Sequence, residues 1–351
     1  MKIGIITFHW GTNYGAILQA YCLQNYLESL GHSVMIINYQ PKQYEFSWLR
    51  FVAHPHNWKS LSKQLIVLKK EKYLSRFRKQ YLHVSKRYYS VQDFGHDFDG
   101  YDVLISGSDQ VLNPGFTLHG EKYKPSPAYW LGFGSQSITR IGYAVSFGRE
   151  IYPQEAIKVA SGWVNKFNVI GVREQSGMSI LDSLNFEGEK TIVPDPTILL
   201  GKSLFSRLNI DSVPKKGNYL CVYMLRREIK IVGNVIYIDE SHQPLNMEQW
   251  LRTIINAQGM VTNSYHGAIM SIFAHVPFVV LLETGTGQGM NDRFYTLFKK
   301  IGVENRIVSS VEEAYNILKQ PVDFTQIDKS LECFKQEGEL FLQHNITSIY
   351  S

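Results

Sequence analysis

The sequence predicts an α/β protein made of two Rossmann-like domains that face each other across a cleft. Three observations carry this expectation. Strand-length apolar runs alternate with segments of helical periodicity, the rhythm of doubly wound, largely parallel sheets. A stretch weak in periodicity, GKSLFSRLNIDSVPKKGN at 201–218, breaks that rhythm and reads as a linker. A chain of 351 residues with 44% hydrophobic content is too long for one small domain and long enough for two with sizeable cores. The expected boundaries are 1–205 for the first domain, with a basic helical insertion at about 45–90, 215–320 for the second, and 321–351 for a closing helix.

The first 40 residues read as a βαβ unit. KIGIITF is a strand, Ile17, Ala20, Leu23, Leu27 and Leu30 mark one helix face, Gly31 stops the helix, and SVMIINY is the next strand. Further strands fall at YDVLIS (101–106), RIGYAVS (140–146), NVIGVR (168–173) and KTIVPD (190–195). Beyond the linker they resume at YLCVYML (219–225), NVIYI (234–238), GMVTN (259–263) and PFVVLL (277–282), and helical runs at 311–318 and 325–345 close the chain. Only the eight residues Arg226 to Gly233 separate YLCVYML from NVIYI. Those strands are therefore either antiparallel or joined by a crossover that lacks its helix.

The formal charge of +5 conceals an asymmetry. Arg50 to Arg87 holds eleven Lys or Arg and one acid, Glu71, a balance of 11 − 1 = +10, so the remainder sums to −5. Trp58, Leu61, Leu65 and Leu68, then Tyr73, Phe77 and Tyr81, recur at helical spacing, which predicts basic amphipathic helices. Two readings fit: a solvated face packed on the core, or a surface that attracts a phosphate-bearing substrate or an acidic lipid. Nucleic acid ranks lower, because neither a zinc-finger spacing nor an RNA-binding aromatic motif accompanies the charge. MKIGIITFHW has no leader pattern and 18 consecutive apolar residues occur nowhere, so a cytoplasmic, non-spanning protein is expected. Cys22, Cys221 and Cys333 lack CxxC spacing and are expected to be reduced and buried.

Chemistry concentrates where strands hand over to helices. HWGTNYGA follows the first strand and offers Asn13, Tyr14 and Gly15 where open sheets place ligands and helix N–H groups favour anions. Neither GxGxxG nor GK[ST] is present there, so dinucleotide and P-loop sites lose support. SGSDQVLNPG places Ser108, Asp109 and Gln110 at a strand end, where Asp109 would also serve as a helix cap. Ser146 and Arg149 end the strand of AVSFGRE, and Arg173 ends that of GVRE. A cation leaving a buried strand needs an anionic partner, either a ligand or the adjacent Glu174. Asp195 in VPDPT reads as a turn residue. NSYHG forms the turn between GMVTN and the helix GAIMSIFAH, so Asn263, Ser264, Tyr265 and His266 stand at a helix start. HxxxH and HExxH are absent around His266, which turns the reading from zinc to acid–base work or phosphate binding.

In order along the chain, GTNYGAILQAYCLQ, GSDQVLNP, YAVSFG, the VRE arginine, the DPT turn, EQWLRTIINAQGMVTNSYHGA and, more loosely, NDRF at 291–294 resemble the polysaccharide pyruvyl transferases. Members of that family move the enolpyruvyl unit of phosphoenolpyruvate onto sugars. The resemblance spans most of the chain. It implies the two-domain GT-B architecture, with the last helix returning toward the first domain. It also implies that Arg173 and the NSYHG turn bind phosphoenolpyruvate, with His266 as acid and neither a metal nor another cofactor. The implied acceptor is a sugar or a polyprenyl-diphosphate-linked oligosaccharide of a capsule or exopolysaccharide, met at the inner face of the plasma membrane. Relatives often carry arginine where this chain has Ser264, so Arg293 or Arg149 is expected to supply that charge. A nucleotide-sugar-dependent glycosyltransferase and a non-catalytic sugar-binding relative are the alternative readings.

Overall fold

A computed structural model describes residues 1–41, 58–117, 127–210, 217–238 and 244–347. The first sheet contains β1 (Lys2–Ile6), β2 (Ser33–Tyr39), β3 (Val84–Tyr88), β4 (Val103–Asp109), β5 (Thr139–Val145), β6 (Val169–Val172) and β7 (Glu189–Ile192). Its order is β3-β2-β1-β4-β5-β6-β7, parallel throughout. The second contains β8 (Leu220–Tyr223), β9 (Val235–Tyr237), β10 (Gly259–Thr262), β11 (Phe278–Leu281) and β12 (Ile307–Val308), in the order β12-β11-β10-β8-β9, also parallel. Central strands such as β4, β6 and β10 are continuous buried runs, as sheets covered on both faces require.

The chain leaves β1 for β2 and β3 on one side, then returns to the other side with β4; it leaves β8 for β9, then returns with β10. Each sheet thus has a switch point, β1/β4 in the first and β8/β10 in the second, where the strand ends open a crevice.

Helix α1 (Tyr14–Ser29) is capped by the Asn13 side chain, which accepts from the Ala16 N–H. It is buried on nearly every side, and the expected apolar face stops at Leu27: Leu30 is the C-cap, 39% exposed, and Gly31 turns away at φ +85°. Among the described residues the basic stretch contains one long helix, α2 (Trp58–Tyr81), followed by β3. Trp58 and Leu61 fall outside the residues whose side chains are described. Leu65 is 61% exposed and does not belong to the packed face, which is instead Lys70, Leu74 and Phe77. That face lies along α1, with the Phe77 ring 5.7 Å from Tyr21 and the Lys70 ammonium 4.5 Å from the Tyr14 ring centre.

The β8–β9 question resolves in favour of a parallel pair with no crossover helix. Tyrosines brace the connection. Tyr237 Oη accepts from the Ile231 N–H at 3.0 Å, while Tyr315 Oη accepts from the Val232 N–H at 2.6 Å and donates to its carbonyl at 2.9 Å.

The linker region contains a short helix at Ser203–Arg207 that buries Leu204 and Phe205, and 211–216 lies outside the described residues. Beyond β7 come α3 (Pro196–Leu200), then α4 (Met247–Ile255), α5 (Tyr265–Phe273), α6 (Asp292–Ile301), α7 (Val311–Leu318) and α8 (Phe324–Thr347). Side-chain contacts bolt the domains together. Tyr14 stacks on Trp250 of α4 (5.1 Å, 9°) and donates to the Leu245 carbonyl at 2.6 Å. Asp292 and Thr296 of α6 accept from the N–H groups of Ser176 (2.6 Å) and Gln175 (3.0 Å), the opening residues of a first-domain helix. Helix α8 runs back to the first sheet, where Phe341 meets Tyr143 at 6.0 Å. Cys22 and Cys221 are buried, but Cys333 is exposed on α8 because it falls on that helix's outer face. Among the described residues no helix is long and apolar enough to cross a membrane.

Candidate active site at the domain cleft

A cavity of about 220 Å³ opens where the two switch points face each other. The first domain lines it with Phe8, Trp10 and Asn13 from the β1–α1 loop and with Asp109 and Gln110 from the end of β4. The second contributes Arg226, Ser264, Tyr265, His266, Glu283 and Arg293.

Beneath the floor lies Asp195, fully buried, whose side chain caps α3. Its Oδ1 accepts from the Thr197 N–H (3.0 Å) and hydroxyl (2.8 Å). Its Oδ2 lies 3.2 Å from Arg173 Nη1, 3.3 Å from Ser108 Oγ and 3.4 Å from His266 Nε2. The last distance is long for a hydrogen bond and within ion-pair range. Burial opposes its charge, yet His266, Arg173 and the Thr197 N–H together hold its pKa well below the usual carboxylate range. The stability it contributes is therefore present above the unfolded-state carboxylate pKa and is lost only as pH falls through the depressed folded value.

Arg173 is enclosed by three carboxylates: Asp109 at 3.0 Å, Asp195 at 3.2 Å and Glu174 at 3.6 Å. Although burial works against its charge, these carboxylates raise its pKa above that of an ordinary arginine. Its side chain is fully buried, beneath the Tyr265 ring at 4.8 Å, and does not line the cavity. The positive charge is consumed inside the protein.

His266 is the second residue of α5, whose cap is Ser264: the serine hydroxyl accepts from the Gly267 N–H at 3.3 Å. With Nε2 toward Asp195, Nδ1 faces the first turn of α1, where a Cβ on Gly15 would overlap it. Glycine at that position leaves room for the imidazole. Arg293 is the second residue of α6 and is 9% exposed. It lies 5.2 Å from the Phe294 ring centre and 5.9 Å from that of Tyr265, and makes no hydrogen bond or ion pair among the described residues. Burial, reinforced by Arg173, pushes its pKa down to about 10. A buried guanidinium with no hydrogen bond or ion pair of its own is suited to an anionic ligand.

The remaining expected site residues divide. Asn13, Asp109, Gln110, Ser264, Tyr265, His266 and Arg293 line the cavity. Asp109 does so as a partner of Arg173 rather than as a helix cap. Tyr14 is taken up by the domain interface. Ser108 bonds the Ala144 carbonyl and Asp195, Ser146 supports Glu174 and the Gly148 N–H, and Asn263 grips both backbone groups of Leu225. Arg149 is exposed, its backbone against Gly289, and does not line the cavity. Sequence reading missed Asp195, Arg226 and Glu283. For Asp195 the local signal was a cap before a short helix, which says nothing of its partners across the sheet.

Two parallel doubly wound sheets meeting at such a cleft define the GT-B architecture. Similar solved structures include the S. aureus MnaA–UDP co-structure, with a TM-score of 0.51 at 10% identity over 98% of this chain and 95% of that one. Arabidopsis thaliana UGT89C1 complexed with UDP-L-rhamnose gives 0.49 at 10% identity, over 99% and 98%. Among curated protein sequences none matches significantly. Residues 13–283 match the polysaccharide pyruvyl transferases, and the chain belongs to that family of transferases in polysaccharide biosynthesis.

Replacing Gly15 with Ala should displace the His266 ring while α1 keeps its cap and its packing. The expected result is a folded protein by circular dichroism with turnover reduced at least ~10-fold, since a ~1 Å misplacement of a reacting group can cost ~10²-fold. Unchanged turnover would mean that this imidazole does not take part.

Proposed function

We propose that the protein transfers the enolpyruvyl unit of phosphoenolpyruvate to two hydroxyls of one sugar, forming a cyclic ketal and releasing phosphate. The observation that carries this reading is that one small cavity joins a buried cation with no hydrogen bond or ion pair among the described residues, Arg293, to a histidine backed by a carboxylate, His266 with Asp195. A volume of 220 Å³ is below the ~300–1,000 Å³ of drug-sized sites and favours a compact anionic donor over a nucleotide sugar. Arg293 and the first-turn N–H groups of α5 hold the donor's phosphate and carboxylate. His266 donates a proton to the methylene carbon, and Asp195 stabilises the imidazolium before that transfer. Phe8 and Trp10, on the facing wall, offer ring surfaces to the sugar. The scheme needs no metal; among the described residues no three His, Cys, Asp or Glu side chains cluster as metal ligands.

Phosphate release should depend on phosphoenolpyruvate with nitrophenyl hexosides or lipid-linked oligosaccharides as acceptors; consumption of a UDP-sugar instead would favour the glycosyltransferase reading. His266→Ala should lower kcat by ~10²–10⁴-fold. Arg293→Ala should weaken donor binding ~10–100-fold, the value of charge-assisted hydrogen bonds. It should not lower the Tm of the ligand-free protein, because it removes a buried charge with no ion-pair partner among the described residues. Arg252→Ala, on the outside of α4, should change neither. A large drop in Tm with normal donor affinity would make Arg293 structural.

The reading extends to where the acceptor is met. Leu65, Lys69, Lys72, Arg76 and Lys79 follow one another at helical spacing along α2, and all are exposed. Arg78 ties the same helix to the cavity-lining loop through the Gly11 carbonyl at 3.3 Å. This face suits an anionic membrane carrying a lipid-linked acceptor, with the enzyme peripheral at its cytoplasmic surface. Co-sedimentation with phosphatidylcholine vesicles containing phosphatidylglycerol should weaken with salt. It should fall at least ~30-fold in Lys69→Glu/Lys72→Glu, at roughly 1 kcal/mol per basic residue lost. Lys158→Glu/Lys166→Glu should have little effect. Equal binding to pure phosphatidylcholine, or none to either vesicle, would contradict membrane docking.

A further inference from the structure

Ketal formation moves more protons than one histidine handles: one goes onto the methylene carbon, two leave the acceptor hydroxyls, and one departs with phosphate. Two carboxylates line the cavity, Asp109 and Glu283. Asp109 is occupied by Arg173 at 3.0 Å. Glu283 follows β11 and is fixed by two asparagines. Asn291 brackets its backbone, Oδ1 accepting from the Glu283 N–H at 3.0 Å and Nδ2 donating to its carbonyl at 2.9 Å. Asn263 fixes its side chain, Nδ2 donating to Oε1 at 2.5 Å while the same amide accepts from the Leu225 N–H at 2.6 Å and donates to the Leu225 carbonyl at 2.9 Å. Neither asparagine lines the cavity, and Oε2 of Glu283 makes no hydrogen bond among the described residues. A carboxylate aimed by two buried amides, with one oxygen uncommitted, has the construction of a working group rather than of a surface acid.

We propose that Glu283 is the base that deprotonates the acceptor hydroxyl, an assignment that rests on the ketal-transfer reading. The donor's C=C electrons take the proton from His266, leaving C2 electron-deficient. The first hydroxyl oxygen bonds to C2 as its O–H proton passes to Glu283. The second hydroxyl then bonds to C2 as the C2–O bond to phosphate breaks, the phosphate oxygen keeping the electron pair. Of the two protons lost by the hydroxyls, one restores His266 and one leaves with the phosphate. Arg226 and Arg227 from the β8–β9 connection, Arg293 from α6, His266 from α5 and Asp109 from β4 are the charged or titratable groups around Glu283. Burial raises its pKa above that of an ordinary glutamate, against the pull of the three arginines. A base active only when deprotonated gives a rate that falls as pH drops through that raised value.

The test compares wild type with Glu283→Gln, whose amide oxygen can keep the Asn263 bond, using phosphoenolpyruvate and nitrophenyl hexosides. Donor binding is followed by Trp10 fluorescence. The expected result is a ~10²–10⁴-fold loss of kcat with donor affinity unchanged and the acidic limb of the pH profile abolished. Asn263→Ala should shift the same limb, which a purely structural role would not do. Turnover within about threefold of wild type with the limb intact would overturn the assignment and leave the ketal-transfer reading standing. A wild-type protein that releases no phosphate from the donor with any acceptor would overturn both.

Discussion

Asp195 is the carboxylate on which the site is built. It caps α3, neutralises part of Arg173, bonds Ser108 at the end of the central strand β4 and stands behind His266. A fully buried charge is tolerated only when every lone pair has a partner, and here those partners come from α3, β4, β6's end and α5. The same carboxylate that fastens the first domain's core therefore also stands against a histidine carried by the second.

Around it, charges fall into those the protein pairs itself and those with no hydrogen bond or ion pair among the described residues. Arg173 belongs to the first kind, with Asp109, Glu174 and Asp195 within ion-pair reach. Arg293 belongs to the second. Its position is governed from the other domain, since α6 is anchored through Asp292 and Thr296 to Ser176 and Gln175. Ser264 caps α5 and brings no charge, while Arg293 of α6 lines the same cavity. The cavity is thus assembled only when both domains are docked, and Tyr14, first read as a ligand contact, serves that docking by stacking on Trp250.

Most strands were legible because parallel strands buried on both faces are written as unbroken apolar runs, as in YDVLIS and PFVVLL. β3 was not, because VSKRY is an edge strand whose polar residues give no apolar period, and it sits inside a run of basic charge. The helix-free β8–β9 crossover could be suspected from its length, whereas its direction depended on Tyr237 and Tyr315, one of them far along the chain. His266 was readable from a strand, a turn and a helix in succession. Arg173 was readable as a cation needing an anion, with the adjacent Glu174 as one candidate, but Asp109 and Asp195 come from other strand ends, and only the folded sheet brings them to it. Glu283 left no local mark at all, since the amides that aim it lie at positions 263 and 291.

The central claim, that Asp195 acts through His266, is tested most directly by a double-mutant cycle on phosphate release with Asp195→Asn and His266→Ala, donor affinity being measured on each folded variant. The account predicts that Asp195→Asn alone lowers kcat ~10²-fold or more while donor affinity, which depends on Arg293, stays close to wild type. It also predicts that adding Asp195→Asn to His266→Ala costs little further, because the two residues act as one unit. Losses that multiply independently, or full activity in Asp195→Asn, would contradict it.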